Sequence, residues 1–315
     1  MKNTKTEFYR RALCLAVLLL LTSISFLYAQ KINVATYNLR NDNNKDDRAR
    51  GDGWQQRLPF VGGLIRFHGF DIFGTQEGLH HQLEDLKGQL PGFDYTGRGR
   101  DDGKQAGEYS AIFYDTKKFK LLDHGDFWLS TDTEKPNKGW DAVLPRICSW
   151  AKLEVIGTGK PLYFFNVHFD HVGKLARIES AKLILKKVKE LSQNHTAILT
   201  GDFNVDQNSD SYRVLEDSQV LKDAYEAANF KYVPNGTFNS FNPNTKTESR
   251  IDHIFLTSDI SVDKYGVLTD TYRSPVTGSD TAHQAANFPK EVTLKDYRAR
   301  VPSDHFPVMA TVTLH

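Results

Sequence analysis

Acidic, amide and imidazole side chains recur at the ends of the apolar runs in this sequence. The run from Ala197 to Leu199 leads into Asp202 and Asn204, a carboxylate and a carboxamide two residues apart. Further apolar runs meet the same residue types at Asn38, at Glu77, at His168 with Asp170, at Asp252 with His253, and at Asp304 with His305. Burying a carboxylate beside an apolar strand is costly unless a metal ion, hydrogen bonds or a counter-charge compensates. The pattern therefore predicts a hydrolytic metal site assembled from strand ends.

The donor types favour a hard divalent cation. Mg²⁺ binds oxygen ligands and commonly takes one or two protein carboxylates together with water and substrate phosphate oxygens, which suits Glu77 and Asp304. Mn²⁺ is the alternative ion. Zinc is less favoured, because Cys148 is the only cysteine after residue 14 and the histidines lack the H-E-x-x-H spacing.

Hydrolysis of a phosphate ester needs an oriented water, neutralised charge on the phosphoryl oxygens and a stabilised leaving oxygen. We expect Asp202 to accept the proton of the water. We expect Asn204 and Asn38 to hold the scissile phosphate or the metal ion.

Histidines supply the remaining donors. His305 or His168 would donate hydrogen bonds to the developing negative charge. A carboxylate beside each histidine would orient its ring and favour the imidazolium form. Asp252 and Glu108 are the predicted partners.

Four further side chains are candidates for substrate binding. Asp170 and His171 could contact substrate, or they could form the turn and cap that lead into the next helix. Arg146 could clamp a phosphate with two hydrogen bonds, although a surface ion pair is the commoner fate of arginine. Arg40 follows the first strand in a polar loop, where solvation competes with substrate contact.

Apolar periodicity predicts the elements that must position these residues. Strands are predicted at 32–39, 71–75, 108–114, 118–129, 147–156, 161–169, 196–200, 251–256 and 308–314. Helices are predicted at 54–67, 79–90 and 174–191, with a short helical turn at 210–215. Residues 269–300 are polar and irregular and are predicted to form a long loop bordering the site. The order strand, helix, strand, hairpins occurs twice, which predicts two similar halves packed sheet to sheet in an α/β sandwich.

The first thirty residues predict export. Four Lys or Arg residues precede an uncharged run from Ala12 to Ala29, as in a secretory signal peptide. A membrane anchor is the alternative, but the run is short and interrupted by hydroxyl residues. We expect a signal peptide over 1–29 and a soluble mature protein, secreted or periplasmic, that begins near Gln30. A short lipid-anchored form is a lesser alternative.

The mature chain is faintly acidic. Residues 1–29 carry four cations and one acid, so their removal changes the net charge from +1 to −2. Proteins that grip long nucleic acid through its phosphates are usually basic, so the balance favours a phosphorylated small molecule, a nucleotide or a short nucleic acid. One cysteine permits no intramolecular disulfide, and no linker divides the chain. We expect one catalytic domain over 30–315, without stable membrane insertion or an obligate protein partner.

Six motifs resemble those of the endonuclease/exonuclease/phosphatase superfamily, the proteins with a DNase I-like fold. The motifs are Thr36-Tyr-Asn-Leu39, Thr75-Gln-Glu77, Asn166-Val-His168, Gly201-Asp-Phe-Asn204, Arg250-Ile-Asp-His253 and Ser303-Asp-His-Phe-Pro307. The resemblance spans nearly the whole mature chain. It implies a four-layer sandwich of two packed mixed β-sheets flanked by helices, and phosphoester hydrolysis that depends on a divalent metal.

The resemblance also implies a role for each matching residue. Asn38 and Glu77 resemble phosphate-pocket and metal ligands, and Asp304 resembles the other carboxylate on the metal side. Asp202 and Asn204 match the water-orienting aspartate and the phosphate-contacting asparagine. His305 resembles the catalytic histidine supported by Asp252, and Glu108 resembles the acid that supports the histidine at position 168. Asp170 and His171 extend that motif as in deadenylase-type exonucleases.

The leading hypothesis is therefore a secreted phosphoesterase that attacks phosphorus directly with water. Nuclease, nucleotide or sugar phosphatase, and phospholipid head-group hydrolase remain open within it, because no block of interleaved arginine and aromatic residues fits a DNA groove. Two alternatives come from other classes: a catalytically inactive relative that binds a phosphorylated ligand, and a toxin-type hydrolase subunit.

Overall fold

The computed structural model of the chain describes residues 31–276 and 289–315. The signal peptide predicted over 1–29 lies outside the described residues, as does the segment 277–288 of the predicted loop. In chain order the strands are β1 (Lys31–Asn38), β2 (Ile72–Gln76), β3 (Phe93–Thr96), β4 (Ile112–Asp115), β5 (Phe119–Trp128), β6 (Ile147–Val155), β7 (Lys160–His168), β8 (Ala197–Asp202), β9 (Lys222–Asp223), β10 (Ala228–Tyr232), β11 (Asp252–Leu256), β12 (Ile260–Val267), β13 (Tyr272–Pro275), β14 (Tyr297–Arg300) and β15 (Val308–Leu314). The helices are α1 (Lys45–Ala49), α2 (Trp54–His68), α3 (His80–Gln89), α4 (Lys174–Ser192), α5 (Asp210–Glu216) and α6 (Ala224–Ala227).

Two mixed sheets form the centre of the molecule. One has seven strands in the order β10-β12-β15-β1-β2-β4-β3, and the other has six in the order β5-β6-β7-β8-β11-β9. Each sheet has one helical crossover between parallel neighbours, β1 to β2 through α2 and β7 to β8 through α4. Antiparallel pairs surround these crossovers. The predicted fold class, two packed mixed sheets with helices outside, is confirmed.

Apolar side chains fill three layers between these elements. Strand β1 contributes to two of these layers. Ile32 and Val34 belong to the cluster between the sheets, whereas Ala35 and Tyr37 pack with α2. The third cluster joins the six-stranded sheet to α4 and α5. Central strands buried on both faces are apolar almost throughout, as expected for strands covered on both sides. The polar functional side chains of these strands therefore lie at the strand ends, where the neighbouring loops add theirs.

A polar contact between the sheets lies beneath those ends. Asn166 of β7 donates from Nδ2 to the carbonyl oxygens of Thr75 (2.8 Å) and Ala111 (2.9 Å) in the opposite sheet. Its Oδ1 accepts from Gln76 Nε2 at 2.7 Å. A Cβ placed on Gly74 would lie 2.2 Å from that Oδ1, so β2 needs glycine at this crossing. The contact fixes the register of one sheet on the other.

Several predicted boundaries differ from the structure. The strand predicted at 108–114 begins only at Ile112, so Glu108 lies in the preceding loop. Strand β12 was not predicted, although its side chains alternate between more and less buried along much of its length. The predicted loop 269–300 contains the hairpin β13–β14. Strands β13 and β14 are mostly polar and half-exposed, and pairing with each other supplies the order that their composition does not indicate.

Among the described residues, no helix has both the length and the hydropathy required to span a membrane.

Candidate active site

The predicted site residues meet at one edge of the two sheets. Register places His168 beside Asp202 on the parallel strands β7 and β8, and Asp252 beside Asp202 across β8 and β11. The cavity at this edge has a volume of about 460 Å³. Its lining includes Arg40, Glu77, Glu108, Arg146, His168, His171, Asp202, Asn204, Asp304 and His305. Side chains scattered along the sequence thus share a single crevice.

Asp202 lies at the centre of this crevice and is buried. Its Oδ1 accepts from the backbone N–H of Asn204 at 2.9 Å, and its Oδ2 accepts from Asn38 Nδ2 at 2.9 Å. Burial and the nearby Asp252 carboxylate raise the pKa of Asp202 to about 7, although the His305 charge opposes them. The carboxylate is held in one orientation and faces the cavity, as a group that orients a water requires.

Asn38 does not line the cavity and has a different orientation from the one predicted for a metal ligand. Its Nδ2 bridges Asp202 and Glu77, the latter at 3.2 Å. Its Oδ1 accepts from the backbone N–H of Arg40 at 3.0 Å. The amide oxygen is thus engaged with the backbone. The amide nitrogen of Asn38 lies between the carboxylates of Asp202 and Glu77, which would otherwise repel each other.

His305 forms the predicted pair with Asp252. Its Nδ1 lies 2.9 Å from Asp252 Oδ2, and its Nε2 lies 3.8 Å from Asp202 Oδ2. Burial opposes the charged ring, but Asp252 and Asp202 raise the pKa of His305 well above its usual value. The ring is therefore an imidazolium whose Nε2–H faces the cavity, where it can donate to a negatively charged oxygen.

His168 differs from its predicted state. The sequence predicts that Glu108 supports it, but His168 Nδ1 lies 3.9 Å from Glu108 Oε2 and has no hydrogen-bond partner among the residues that the structure describes. Glu108 is held instead by Arg100, whose Nη1 donates to Oε2 at 2.5 Å. Burial, together with the charges of Arg146 and Arg100, lowers the pKa of His168 well below its usual value. The ring is neutral rather than the expected imidazolium, and its Nε2 lies 3.1 Å from Asn204 Nδ2.

Glu77 and Asp304 supply the carboxylates predicted to hold a metal ion. Burial raises the pKa of Asp304 to about 6, and the Glu77 charge contributes in the same direction. Glu77 stays anionic, because His305, Asn41 and Arg40 outweigh its burial and lower its pKa. Acidic oxygens that repel each other in a buried cavity are a donor set that a hard divalent cation would stabilise. These residues therefore fit the predicted ion.

A second group in the same cavity could also hold a cation. One ligand atom each from Asp202, Asp252 and His305 lie within 4.8 Å of one another, and all three residues are buried. The sequence assigned these residues to catalysis and assigned Glu77, Asp304 and Asn38 to the metal. Because the charged His305 ring is hydrogen-bonded to Asp252 and lies 3.8 Å from Asp202, we interpret this group as an imidazolium stabilised by two aspartates and keep Glu77 and Asp304 as the metal carboxylates.

Backbone strain is concentrated around the cavity. Arg40, Glu77 and Asn204 have φ values of 55°, 62° and 51°, and Ser240 and Phe241 have 54° and 59°. All five line the cavity. Residues other than glycine adopt this left-handed conformation at a cost, and such residues cluster where function requires a fixed side-chain direction.

The residues predicted to bind substrate divide into two groups. Arg40, Arg146 and His171 line the cavity, whereas Asp170 is buried behind it. Asp170 accepts from the backbone N–H groups of Val172 (3.0 Å) and Gly173 (2.8 Å), which is the turn considered as the alternative to substrate contact. The assignment of Asp170 to substrate is corrected accordingly.

Other lining residues escaped the sequence analysis. Arg100, Asn41 and Phe238 all border the cavity. Asn41 Nδ2 donates to Glu77 Oε2 at 2.9 Å, and the Phe238 ring meets the His305 ring edge-on at a centroid distance of 5.1 Å. None of them lies at the end of an apolar run. What distinguishes them is the exposure of the Phe238 ring and the burial of Arg100, and neither can be read from the sequence.

Comparison with known proteins gives a family and similar structures. A model of the Endonuclease/Exonuclease/phosphatase family matches residues 35–305. An endonuclease/exonuclease/phosphatase family protein from Bacteroides thetaiotaomicron is 53% identical, with a TM-score of 0.83 over 91% of this chain and 96% of that chain. A mannosyl-6-phosphatase from the same species is also 53% identical, with a TM-score of 0.82 over 90% of this chain and 100% of that chain.

A curated sequence relative is much longer than the region it shares with this chain. An uncharacterized protein of Acanthamoeba polyphaga mimivirus is 25% identical over 249 residues, which cover 66% of this chain. The chain spans only 36% of that relative's length.

Proposed function

Because the chain belongs to the endonuclease/exonuclease/phosphatase family and has its DNase I-like fold, we propose that it is a divalent-metal-dependent phosphatase that removes phosphate from a sugar. A phosphoesterase is the activity class that the family and the site support. The finer assignment, a phosphomonoesterase acting on a hexose 6-phosphate, draws on the 53% identity to a mannosyl-6-phosphatase along its whole length. Mg²⁺ is the proposed ion, with Mn²⁺ as the alternative.

One observation carries the proposal: carboxylates, amides and an imidazolium surround a single cavity of about 460 Å³. A volume of this size suits a small molecule better than a long polymer. Two arginines of the lining, Arg100 and Arg146, are buried. An extended nucleic acid would instead require exposed cations along a groove.

The residues of the chain divide the reaction between them. Asp202 orients a water towards phosphorus and takes its proton, since its carboxylate is fixed by Asn38 and by the backbone of Asn204. The His305 imidazolium donates to a phosphoryl oxygen as negative charge builds up. The Asn204 amide nitrogen donates to His168 Nε2 (3.1 Å) and to the Phe169 carbonyl oxygen (3.0 Å), and it would contact a phosphoryl oxygen by exchanging one of these partners for the substrate.

Glu77 and Asp304 would hold the divalent cation. When bound there, such an ion neutralises phosphoryl charge and stabilises the leaving oxygen. Arg40 Nη1, 3.6 Å from Asp304 Oδ2, adds positive charge on the same side. Water attacks phosphorus directly in this scheme, and no covalent enzyme intermediate forms.

Export remains part of the proposal. The signal-like segment 1–29 would direct the protein to the periplasm or the medium, where phosphorylated sugars from outside the cell could be processed. Mass spectrometry of the exported protein should find an N-terminus near Gln30. An intact N-terminus in a cytoplasmic fraction would contradict this part.

A substrate panel tests the activity. Purified protein is incubated with mannose 6-phosphate, glucose 6-phosphate, bis-p-nitrophenyl phosphate, a nucleoside monophosphate and single-stranded DNA, with and without a chelator. We expect metal-dependent release of inorganic phosphate, fastest from a hexose 6-phosphate. Faster cleavage of the diester or of DNA would replace the phosphatase assignment with a phosphodiesterase, and the absence of all turnover would favour the inactive ligand-binding relative.

A further inference from the structure

Two arginines that line the cavity are joined by one buried carboxylate. Arg40, Asp47 and Arg50 all belong to the lining. Asp47 Oδ2 accepts from Arg40 Nε at 2.8 Å, and Asp47 Oδ1 accepts from Arg50 Nη2 at 2.5 Å. Asp47 is buried, whereas the side chains of Arg40 and Arg50 are 26% and 57% exposed. Both guanidinium groups are therefore accessible to a ligand that enters the cavity.

The backbone beneath this arginine pair, Arg40 and Arg50, is held by two further arginines. Buried Arg57 donates from Nη2 to the carbonyl oxygen of Arg40 at 3.0 Å. Arg300 of β14 donates from Nη2 to the carbonyl oxygen of Arg50 at 2.7 Å. Asp47 then fixes the two side chains with respect to each other. The pair is thus positioned before any ligand binds, and such preorganisation reduces the entropy lost on binding.

Arg40 retains free hydrogen-bond donors on the phosphate side of the cavity. Its Nε is used by Asp47, and its Nη1 lies 3.6 Å from Asp304 Oδ2, which is too far for a hydrogen bond. Within the described part of the chain, neither Nη atom of Arg40 has a hydrogen-bond partner. Because Asp304 is one of the two carboxylates assigned to the metal ion, these donors lie where the phosphate of a substrate is expected.

The charge of the arginine pair decides the kind of ligand. Of the acids that the structure describes, only Asp47 forms a hydrogen bond with either arginine, so two cations share one carboxylate. Arg50 Nε lies 3.8 Å from Asp52 Oδ2, and Asp52 is itself paired with Arg300 at 2.6 Å. A guanidinium matches the oxygens of a phosphate group in both geometry and charge. An anionic oxygen is therefore the ligand that this pair fits.

The proposed function leaves one phosphoryl oxygen without an assigned protein contact. His305 and Asn204 account for two of these oxygens. A phosphomonoester offers three acceptor oxygens and carries close to two negative charges near pH 7. In a diester, one of the three oxygens bears a second ester group, and one negative charge is lost. A contact to the third oxygen therefore distinguishes monoesters from diesters.

We propose that Arg40 and Arg50 bind this third oxygen and thereby select phosphomonoesters over diesters, and that Asp47 is the residue that positions both arginines. The proposal rests on the proposed function and assigns the specificity of the same site. The sequence left Arg40 between solvation and substrate contact and did not indicate Asp47 or Arg50, because neither follows an apolar run.

Two substrates with the same leaving group test the selection. Methyl p-nitrophenyl phosphate differs from p-nitrophenyl phosphate only by a methyl group on one phosphoryl oxygen. Each variant is compared with the wild type on both esters, so their different intrinsic reactivities cancel. Arg40→Met should lower kcat/KM about 10- to 100-fold more for the monoester than for the diester, as loss of a hydrogen bond to a charged group predicts. Arg50→Met, at a more exposed residue, should do so about 3- to 10-fold.

Asp47→Asn tests the positioning of the pair. An amide has one acceptor oxygen and turns an N–H₂ group towards one of the two guanidinium groups, so it cannot hold both. We expect a selective loss on the monoester of about 3- to 10-fold. A role of Asp47 in folding alone would lower kcat/KM equally for both esters. Arg48→Met is the matched control, because Arg48 is an exposed arginine of the same helix outside the cavity lining, and should leave both values unchanged.

The outcomes separate this proposal from the proposed function. Equal losses on both esters in the arginine variants would overturn the selection and leave the phosphatase assignment intact. If Arg40→Met fails to fold, the exposed Arg50→Met decides. If the wild type hydrolyses neither ester, the proposed function fails by itself. Calorimetric binding of inorganic phosphate then decides: weaker binding to Arg50→Met than to the wild type supports the arginine pair, and identical or absent binding refutes it.

Discussion

Two neighbouring residues of one strand, Asp252 and His253, belong to different networks. Asp252 pairs with His305 at the cavity, whereas His253 Nδ1 lies 3.6 Å from Asp223 away from it. Both networks contain a buried aspartate and a histidine, but only the first opens to the cavity. The pair provides an internal comparison between a residue that we propose to act in the reaction and one in a buried network away from the cavity.

Asp252→Asn should lower kcat about 10²- to 10⁴-fold with little change in KM. The amide cannot stabilise the His305 imidazolium, and loss of a hydrogen-bond donor to the transition state, or of the aspartate that supports a catalytic histidine, has effects of this size. Steady-state kinetics with mannose 6-phosphate measure the change, and thermal unfolding verifies that the variant is folded. A variant with wild-type kcat would exclude His305 from the reaction.

Asp223→Asn is the matched control for this variant. Asp223 is fully buried and accepts from Tyr212 Oη and Arg250 Nη1, each at 2.9 Å. We expect a lower unfolding temperature but an unchanged kcat for the folded fraction.

The roles of single residues could be predicted from the sequence only in part. Asp202, Asn204 and His305 follow apolar runs or lie close to one, so their convergence follows from the sheet edge at which the runs end. The neutral state of His168 could not be predicted, because it depends on burial and on Arg100, a residue with no motif around it. The burial of Arg146 Nη1 without a hydrogen-bond partner in the described part of the chain is likewise a property of packing.

At the scale of elements, the crossing of β2 and β7 fixes the site. Asn166 joins the sheets two residues before His168 on β7. Gly74 has no side chain, which leaves room for the Asn166 carboxamide between the sheets. The sequence showed both strands but not their contact, because a carboxamide between two sheets resembles any other polar interruption of a strand. Strand β12 was also missed, because its place between β10 and β15 is set by pairing with those strands and not by a local sequence signal.

Gly74→Ala should destabilise the fold by about 1–3 kcal/mol, because the new methyl group must displace Asn166 or Thr200. Gly63→Ala in α2 is the matched control, since its Cβ would meet nothing within 4 Å. Alanine is favoured over glycine inside a helix, so this variant should gain about 0.5–1 kcal/mol. Denaturant unfolding of both variants measures the difference, and equal stability of the two would contradict the proposed crossing.

The Asp223 network, which joins β9 to α5 and β11, should set part of the acid stability. Burial opposes ionisation of Asp223, but His253 and Arg250 lower its pKa to about 2. This pKa lies below that of the unfolded chain, near 4, so the stabilisation is complete above pH 4 and is lost as pH falls towards 2. We expect about 3 kcal/mol of unfolding free energy to depend on this group. Asp223→Asn should flatten the stability profile between pH 4 and pH 2, and an unchanged slope would refute this assignment.

At the scale of the whole molecule, the buried acids of the cavity link folding to metal binding. A cation that binds only the folded protein stabilises it by about 2.7 kcal/mol at a concentration 100 times its Kd. Mg²⁺ or Mn²⁺ should therefore raise the unfolding temperature of chelator-treated wild type, and Glu77→Gln should remove this rise. The same rise in both proteins would place the ion elsewhere.

The balance of charge over the molecule agrees with a small phosphorylated substrate. The sequence already indicated this from a net charge of −2 after residue 29, and the structure adds that Arg40, Arg100 and Arg146 are gathered in one cavity. What the sequence could not specify is which arginine is paired with which acid: Arg146 lies beside Asp170, and Arg100 lies beside Glu108.

The most direct test of this account is the release of inorganic phosphate from mannose 6-phosphate by chelator-stripped protein, before and after Mg²⁺ or Mn²⁺ is restored. We predict no release from the stripped protein, full recovery with the restored ion, and no recovery in Asp202→Asn. Undiminished release without the ion, or release by Asp202→Asn at the wild-type rate, would contradict the account.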